Sequence, residues 1–321
     1  MTKVDVFSGF LGAGKTTLIK KLIAEAYAGE KLVLIENEFG EIGVDSGFMQ
    51  DAGIEVTEMT SGCICCSLTG DFRAALHEVC ETYAPDRILI EPSGVGKLSD
   101  IVTAVEQVSD GDLTINALGT VVDAGKCKMY MRNFGEFFND QVESAGCIIL
   151  SRTAGIKAEK LAECIALLRE KNPGAVIITT PWDELSGRQL LDAIERRDTL
   201  SAALESIEHE HEHHHHDHEC GCGHHHHGHD ADEVFTSWGM ETAKKFTEEA
   251  LRGALTALED EAACGVVLRA KGIVAAEEGE WIHFDYTPGE IDIRRGSAGV
   301  TGRLCVIGHE LREDTVAALF R

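Results

Sequence analysis

The sequence has few basic residues and no long apolar run. Its 29 Lys and Arg stand against 55 Asp and Glu, which gives the 321 residues a formal charge of −26. Such a surface repels phosphate backbones, so we expect no nucleic-acid partner. The apolar runs stay below the ~18 residues that a membrane span needs, and no signal peptide precedes the first predicted strand. We therefore expect a cytoplasmic protein with no membrane partner.

A disulfide framework is also not expected. In a reducing cytoplasm the 11 cysteines would remain thiols. Cysteines that cluster in such a compartment indicate metal binding or catalysis instead.

The segment from Gly9 to Thr16 reads GFLGAGKT and fits G-x-x-x-x-G-K-[ST], the pattern of a phosphate-binding loop. An apolar run predicts a strand at 3–8 before it, and apolar spacing predicts a helix at 17–28 after it. The glycine-rich turn and the positive end of that helix would hold phosphate together. We expect Lys15 to reach the β- and γ-phosphates and the Thr16 hydroxyl to bind Mg²⁺.

Short apolar runs alternate with helical patterns along the first part of the chain. The strands are predicted at 3–8, 32–36, 54–59, 87–91, 113–123, 146–150 and 176–179. The run at 54–59 alternates, so it is predicted to be an edge strand or an antiparallel one. The alternation of strands and helices predicts an α/β fold with a doubly wound, mostly parallel P-loop NTPase sheet. Ligands of such sheets bind beyond the carboxyl ends of the strands.

The sequence Glu91-Pro92-Ser93-Gly94 follows one of these strands. We expect the Glu91 carboxylate to orient the Mg²⁺ shell and the Gly94 backbone N–H to approach the γ-phosphate. An ordinary strand end followed by a turn would show the same spacing. The phosphate loop upstream favours the functional interpretation.

Three cysteines lie within four residues, at Cys63, Cys65 and Cys66. Thiolates at this density suit Zn²⁺ or Cu(I), and three ligands leave a fourth position for a carboxylate, a histidine or water. The alternative is three buried apolar cysteines. The six other cysteines outside the histidine-rich tract are predicted to fill the core: Cys80, Cys127, Cys147, Cys164, Cys264 and Cys305.

Residues 201–232 hold 12 of the 15 histidines, interleaved with acids and two cysteines. This composition cannot bury a core, so we predict a disordered linker that collects metal ions on neutral imidazoles. A purification tag is the alternative, which the internal position and irregular spacing disfavour. The predicted ligands are His211, His213, His214, His215, His216, His218, Cys220, Cys222, His224, His225, His226 and His227.

The residues after the histidine-rich tract, 233–321, predict a smaller α+β domain. A helix is expected at 239–258, strands at 264–274, 281–286, 290–294 and 303–308, and a closing helix at 313–320. The predicted domains are therefore 1–200, 201–232 and 233–321.

Taken together, the segments GFLGAGKTT, ENEFGE, GCICC and EPSG resemble the CobW-like family of P-loop GTPases, metal-insertion proteins related to the urease and hydrogenase nickel chaperones. The resemblance implies a GTP- and Mg²⁺-dependent metallochaperone. It would bind a transition metal, zinc first and cobalt or nickel as alternatives, and insert it into a client metalloprotein or an enzyme of a metal-cofactor pathway. The sequence does not show whether the chain forms a homodimer, so this assembly stays open.

The resemblance also implies residue roles. Hydrolysis would depend on Lys15, Thr16 and Glu91. The transported ion would bind Cys63, Cys65 and Cys66, with Glu36, Asn37 and Glu38 in a switch segment and the two glutamates near the metal. The nucleotide would contact Gly9, Gly12, Ala13, Gly14, Lys15, Thr16, Thr17, Gly94, Ser151 and Arg152.

One segment departs from the family pattern. The family usually has N-K-x-D after the strand at 146–150, and its Asp accepts hydrogen bonds from guanine. This chain has Ser151-Arg152-Thr153-Ala154, which lacks that carboxylate, although Arg152 can stack on a base. GTP is the expected nucleotide by resemblance, with ATP as the alternative.

Two other function classes remain. A metal buffer or storage protein would use the nucleotide site for regulation alone. A small-molecule or nucleotide kinase would transfer phosphate to an acceptor, but it leaves the cysteine cluster and the histidines unexplained.

Overall fold

The computed structural model describes residues 1–36, 55–58, 69–108, 113–195 and 236–321, with the backbone alone at 55–58 and 69–75. The chain divides into two compact units, with the division between residues 197 and 198. The predicted cysteine cluster, Glu38 and the histidine-rich tract lie outside the described residues.

The first unit is built on a sheet of seven strands in the order β3-β2-β4-β1-β5-β6-β7. All the described pairings are parallel, so the carboxyl ends of the strands meet at one edge. The predicted mostly parallel sheet is confirmed. The strands are β1 (Thr2–Gly9), β2 (Leu32–Glu36), β3 (Glu55–Glu58), β4 (Arg87–Glu91), β5 (Leu113–Asp123), β6 (Cys147–Ser151) and β7 (Val176–Ile178).

The strand predicted at 54–59 is β3, and it lies at the edge of the sheet. It runs parallel to β2, with Val33 opposite Glu55, so the antiparallel alternative is wrong. Parallel neighbours need a connection of a dozen or more residues, and residues 37–54 supply that length.

Helices lie on both faces of this sheet, as a doubly wound fold requires. Val4 and Val6 of β1 belong to a core cluster that contains Leu98 and Phe138 from two of the helices. On the other face, the first and last of the helices pack against each other and against strands. The helices are α1 (Lys15–Glu25), α2 (Thr69–Tyr83), α3 (Leu98–Val108), α4 (Cys127–Asn133), α5 (Gly135–Glu143), α6 (Ala158–Lys171) and α7 (Gly187–Ile194), with a 3-10 turn at Trp182–Glu184.

The second unit is an antiparallel sheet with helices packed on it, which confirms the smaller α+β domain. Its strand order is β12-β11-β10-β13-β8, with the short β9 parallel to β10. Leu255, Phe284 and Phe320 join the helices to the sheet in one core cluster. The elements are β8 (Thr236–Thr242), β9 (Lys245–Phe246), α8 (Glu248–Ala257), α9 (Glu261–Cys264), β10 (Val266–Ala276), β11 (Trp281–Thr287), β12 (Glu290–Gly296), β13 (Gly302–His309) and α10 (Glu313–Phe320).

The helix predicted at 239–258 is wrong in its first part. Residues up to Thr242 form β8, which pairs with β13 and places Gly239 opposite Cys305. Strand pairing outweighs the helical spacing of the apolar residues here. The helix α8 begins only after Thr247, whose hydroxyl accepts a hydrogen bond from the Ala250 N–H at 3.0 Å and caps its first turn.

Candidate nucleotide-binding site

The segment between β1 and α1 forms a tight glycine turn at the carboxyl edge of the sheet. Gly9 has a φ of 143° and Gly14 a φ of 105°, values that residues with a Cβ rarely adopt. At Gly9 a Cβ would also stand 2.4 Å from the Val121 carbonyl oxygen. Glycine is therefore required for the close approach of this turn to β5.

The first turn of α1 faces this loop. Gly14 is its N-cap residue and has no side chain, so no side-chain hydrogen bond caps the helix N-terminus. Lys15 is only 9% exposed, and its Nζ donates to the Gly9 carbonyl oxygen at 3.1 Å. An ammonium group and a helix N-terminus at one place favour the binding of an anion.

Two carboxylates and a hydroxyl lie beside the loop. The Thr16 Oγ1 donates to Glu91 Oε1 at 2.9 Å. Glu91 ends β4 and pairs in register with Glu36, the last residue of β2. Mg²⁺ prefers oxygen ligands of this kind together with substrate phosphates, so the residues present fit the ion.

A cavity of about 490 Å³ lies over these groups, within the usual range for small-molecule sites. It joins the phosphate loop to the ends of β2, β4 and β6. The predicted residues that line it are Gly12, Gly14, Lys15, Thr16, Thr17, Glu36, Glu91, Gly94 and Arg152.

Three predicted nucleotide contacts are not among the residues that line this cavity. Gly9 lies beneath the loop, where its carbonyl accepts from Lys15. Ala13 is 2% exposed. The buried Ser151 hydroxyl donates to the Val122 carbonyl oxygen at 3.3 Å, so it is engaged within the sheet.

Three residues that line the cavity were missed by the sequence reasoning. They are Leu11, Pro92 and Ser93, which lie inside the two motifs but carry no charge. Their position between predicted contacts was the available signal. Leu11 is 54% exposed, so it presents apolar surface at the rim.

Arg152 connects the end of β6 to the phosphate loop. It has a φ of 57°, unusual for a residue with a side chain. Its Nη2 donates to the Gly12 carbonyl oxygen at 3.0 Å, and its Nε lies 3.3 Å from Asp123 Oδ2. Asp123 is buried and also accepts from the Gly125 N–H at 2.9 Å. The guanidinium therefore borders the cavity with its orientation fixed by two partners.

Trp182, which the sequence reasoning also missed, lies beside the loop at Gly14. Its Nε1 donates to the Leu150 carbonyl oxygen at 3.1 Å. A Cβ on Gly14 would stand 3.4 Å from the Trp182 ring, so the indole borders the start of α1.

Of the predicted metal ligands, Glu36 alone belongs to the described residues, and it is 7% exposed. Within residues 1–36, 55–58, 69–108, 113–195 and 236–321, no group of three or more His, Cys, Asp or Glu is placed to hold a metal ion. The cysteine cluster and the ligands at 211–227 lie outside those ranges, so their roles stay predictions.

Of the six cysteines predicted as core residues, five are buried and Cys80 is partly buried. A hydrogen bond with Cys127, together with burial, raises the pKa of the Cys164 thiol. Burial likewise raises the pKa of Cys305 to about 11. Such thiols stay protonated at neutral pH and are poor metal ligands, which agrees with a packing role.

Comparison with known families decides the classification. The nucleotide-binding domain model of CobW/HypB/UreG matches residues 3–179, and the C-terminal domain model of the cobalamin synthesis protein CobW matches residues 235–321. This chain belongs to the CobW/HypB/UreG family.

Named relatives of this family member include two zinc chaperones of Escherichia coli K12. YeiR is 33% identical over 156 residues, which cover 48% of this chain and 47% of YeiR. YjiA is 34% identical over 179 residues, which cover 53% and 55% of the two chains. The chain thus spans about half the length of the curated relatives it matches.

A more distant relative is the zinc-regulated GTPase metalloprotein activator 1 of Schizosaccharomyces pombe, 26% identical over 208 residues that cover 61% of this chain and 50% of the relative. A crystal structure of zinc-bound YjiA from E. coli is 20% identical and covers 99% and 98% of the two chains. Its TM-score is 0.44.

Among the helices of the described ranges, none is long and apolar enough to cross a membrane.

Proposed function

We propose that the protein is a GTP-hydrolysing metallochaperone that binds a transition metal and delivers it to a client metalloprotein or an enzyme of a metal-cofactor pathway. Zinc is the first candidate because two relatives are named zinc chaperones, and cobalt and nickel are the alternatives. The proposed domains are a GTPase domain at 1–200, a histidine-rich metal-binding linker at 201–232 and a CobW-like C-terminal domain at 233–321.

The phosphate loop would bind the β- and γ-phosphates. Lys15 already lies in the loop with its ammonium on the Gly9 carbonyl, so an anion needs to draw it only a short way. The uncapped first turn of α1 adds N–H donors and the positive end of the helix dipole. Both features stabilise negative charge that develops on the phosphates during hydrolysis.

Thr16 and Glu91 would hold Mg²⁺, directly or through water. When bound, the ion would neutralise charge on the β- and γ-phosphates. The Thr16–Glu91 contact of 2.9 Å keeps both oxygens at the floor of the cavity before substrate arrives. Fixed donors of this kind lower the reorganisation that the reaction requires.

Glu36 would link the nucleotide to the metal. It borders the cavity as the last residue of β2, and Asn37 and Glu38 follow it in the chain. β3 pairs with β2 in parallel, and the cysteine cluster begins five residues after its last residue, Glu58. Both connections therefore leave the sheet at the edge where the phosphates would bind. Cys63, Cys65 and Cys66 would hold the ion that the histidine tract collects.

GTP is the proposed nucleotide, with ATP as the alternative. Arg152 donates to Gly12 of the loop and Trp182 borders Gly14, and both carry planar groups that can stack on a base. Ala154 stands where the family pattern has a carboxylate, so guanine would be selected without that acceptor.

We further propose that the protein is cytoplasmic and has neither a nucleic-acid nor a membrane partner. A homodimer is the alternative to a monomer. The formal charge of −26 supports the exclusion of nucleic acid.

The Thr16–Glu91 contact inside the cavity, beside Glu36, is the observation that carries the proposed function. Lys15→Ala tests it, because the substitution removes the phosphate ligand and leaves the cysteines and histidines in place. A delivery GTPase should lose both GTP hydrolysis and zinc transfer to a client. Full metal function with no hydrolysis would instead favour the metal buffer, and phosphate transfer to a small-molecule acceptor by the unmodified protein would favour a kinase.

A further inference from the structure

The segment that follows β4 is held by the buried side chain of Gln141 in α5. The Gln141 Nε2 donates to the carbonyl oxygens of Gly94 at 3.2 Å and Gly96 at 2.7 Å. A carbonyl oxygen can only accept, so the nitrogen of the amide, and not its oxygen, must face this pair.

The same helix also fixes the far end of this segment. Asp140 accepts from the Ser99 N–H at 3.1 Å and from the Ser99 hydroxyl at 2.6 Å, and so caps the first turn of α3. Between these ends, Lys97 Nζ lies 2.9 Å from Glu136 Oε1. Three side chains of α5 therefore set the position of residues 94–99.

The near end of the segment packs against the phosphate loop. A Cβ on Gly94 would stand 2.7 Å from the backbone nitrogen of Leu11, and Gly94 lines the cavity. Gln141 is itself held to the sheet, because its backbone oxygen accepts a hydrogen bond from Thr120 Oγ1 at 2.7 Å. Gly94 is thus held between the phosphate loop and Gln141.

Packing alone does not account for an amide at this position. Gln141 is fully buried, and its Oε1 has no hydrogen-bond partner among the residues that the structure describes. A buried acceptor without a partner destabilises a fold, and methionine would fill a similar volume without that cost. The two donated hydrogen bonds are what the amide supplies.

We propose that Gln141 is a positioning residue that holds the Gly94 backbone where its N–H meets the γ-phosphate. The proposal rests on the function proposed above and specifies how that site distinguishes GTP from GDP. Gln141 acts through Gly94 and does not touch the nucleotide.

Gln141→Met in the full chain tests this role, since it keeps the length of the side chain and removes both donors. With Mg²⁺ present, its affinity for a non-hydrolysable GTP analogue should fall about tenfold relative to its affinity for GDP. The kcat of GTP hydrolysis should fall by a similar factor, because only the γ-phosphate contact is disturbed. Asn116→Leu is the matched control, because its amide also donates two hydrogen bonds, to Asp5 at 2.8 Å and to Glu195 at 2.9 Å, and none of these three residues lines the cavity. It should lower the Tm and leave the ratio of affinities unchanged.

An unchanged ratio in Gln141→Met, or an equal loss of affinity for both nucleotides, would overturn the proposal. If Gln141→Met fails to fold, Ser99→Ala provides the test. It removes the hydrogen bond from the Ser99 hydroxyl to Asp140, by which α5 holds the far end of residues 94–99. It should lower the ratio about two- to threefold, and no change would overturn the proposal. If the unmodified protein binds neither nucleotide, the proposed function itself fails, which separates that failure from one confined to Gln141.

Discussion

Two clusters of charged side chains lie in the first unit, and they differ in what surrounds them. Lys15, Glu36 and Glu91 border a cavity of about 490 Å³ at the carboxyl edge of the sheet. Arg87, with Asp5 and Glu195, is enclosed by the fold, and each of these three side chains is at most 2% exposed. Charge in the first cluster can meet a ligand, whereas charge in the second can meet only other parts of the chain.

The enclosed cluster is satisfied from several elements. Arg87 forms ion pairs with Asp5 and, at 3.1 Å, with Glu195. Asn116 Nδ2 donates to Asp5 at 2.8 Å and to Glu195 at 2.9 Å, and the Tyr27 hydroxyl donates to Asp5 at 3.0 Å. The same residue types therefore serve stability in one place and are available for chemistry in the other. Enclosure, and not residue type, separates the two roles.

The largest expected effect is on the enclosed cluster. Arg87→Met should lower the free energy of unfolding by about 3–5 kcal/mol, because it leaves two buried carboxylates without their cation. Urea unfolding measures the loss. Arg188→Met is the control, since Arg188 is 57% exposed in an ion pair with Asp192 and should change stability by less than about 1 kcal/mol. Equal effects of the two substitutions would remove the distinction between enclosed and open charge.

A pair of identical substitutions compares the two clusters directly. Glu91→Gln should lower kcat for hydrolysis about 100-fold with little change in stability, because its carboxylate faces the cavity. Glu195→Gln should lower the free energy of unfolding by about 1–3 kcal/mol and leave kcat unchanged, because its carboxylate is enclosed. Steady-state hydrolysis and urea unfolding on both variants check the two expectations, which would fail if either variant showed the effect assigned to the other.

The smallest effect concerns pH. Burial raises the pKa of Asp5 above 3.8, while Arg87, Asn116 and Tyr27 oppose the rise. The folded chain then holds a proton that the unfolded chain has released, so this contribution to stability is present below pH 3.8 and is lost as pH rises through the folded pKa. Relative to Asp5→Asn, the unmodified protein should lose up to about 1.4 kcal/mol per pH unit in that window. If the free energy of unfolding changed with pH in the same way in both proteins, the raised pKa of Asp5 would be contradicted.

The open cluster was predictable because its signals are local. The phosphate loop is a run of consecutive residues, and Glu91 and Glu36 are each the last residue of an apolar strand. In a parallel sheet all such ends share one edge, so strand prediction alone brings them together. Leu11 and Trp182 were not predicted, because their side chains carry no charge and their positions beside the site depend on how the loop folds.

The enclosed cluster and Gln141 were not predictable because their partners are distant in the chain. Gln141 lies 47 residues from Gly94, and Arg87 lies 108 residues from Glu195. An Asp within the apolar run of β1 was the one visible sign of a buried partner, since a charge in a strand covered on both faces needs one. The error at β8 has the same origin, because its pairing with β13 depends on residues at the other end of the domain.

We propose that nucleotide binding and metal binding are coupled through the edge of the sheet at Glu36. The most direct test measures the zinc affinity of the full chain by competition with a chelator, once with GDP and once with a non-hydrolysable GTP analogue. A variant with Cys63, Cys65 and Cys66 all changed to Ser keeps the histidine tract alone, so its zinc affinity should be the same with both nucleotides. If the two sites are coupled, zinc should bind about 5- to 150-fold tighter with the GTP analogue, and zinc should tighten binding of the analogue by the same factor. Identical zinc affinities with the two nucleotides would contradict it.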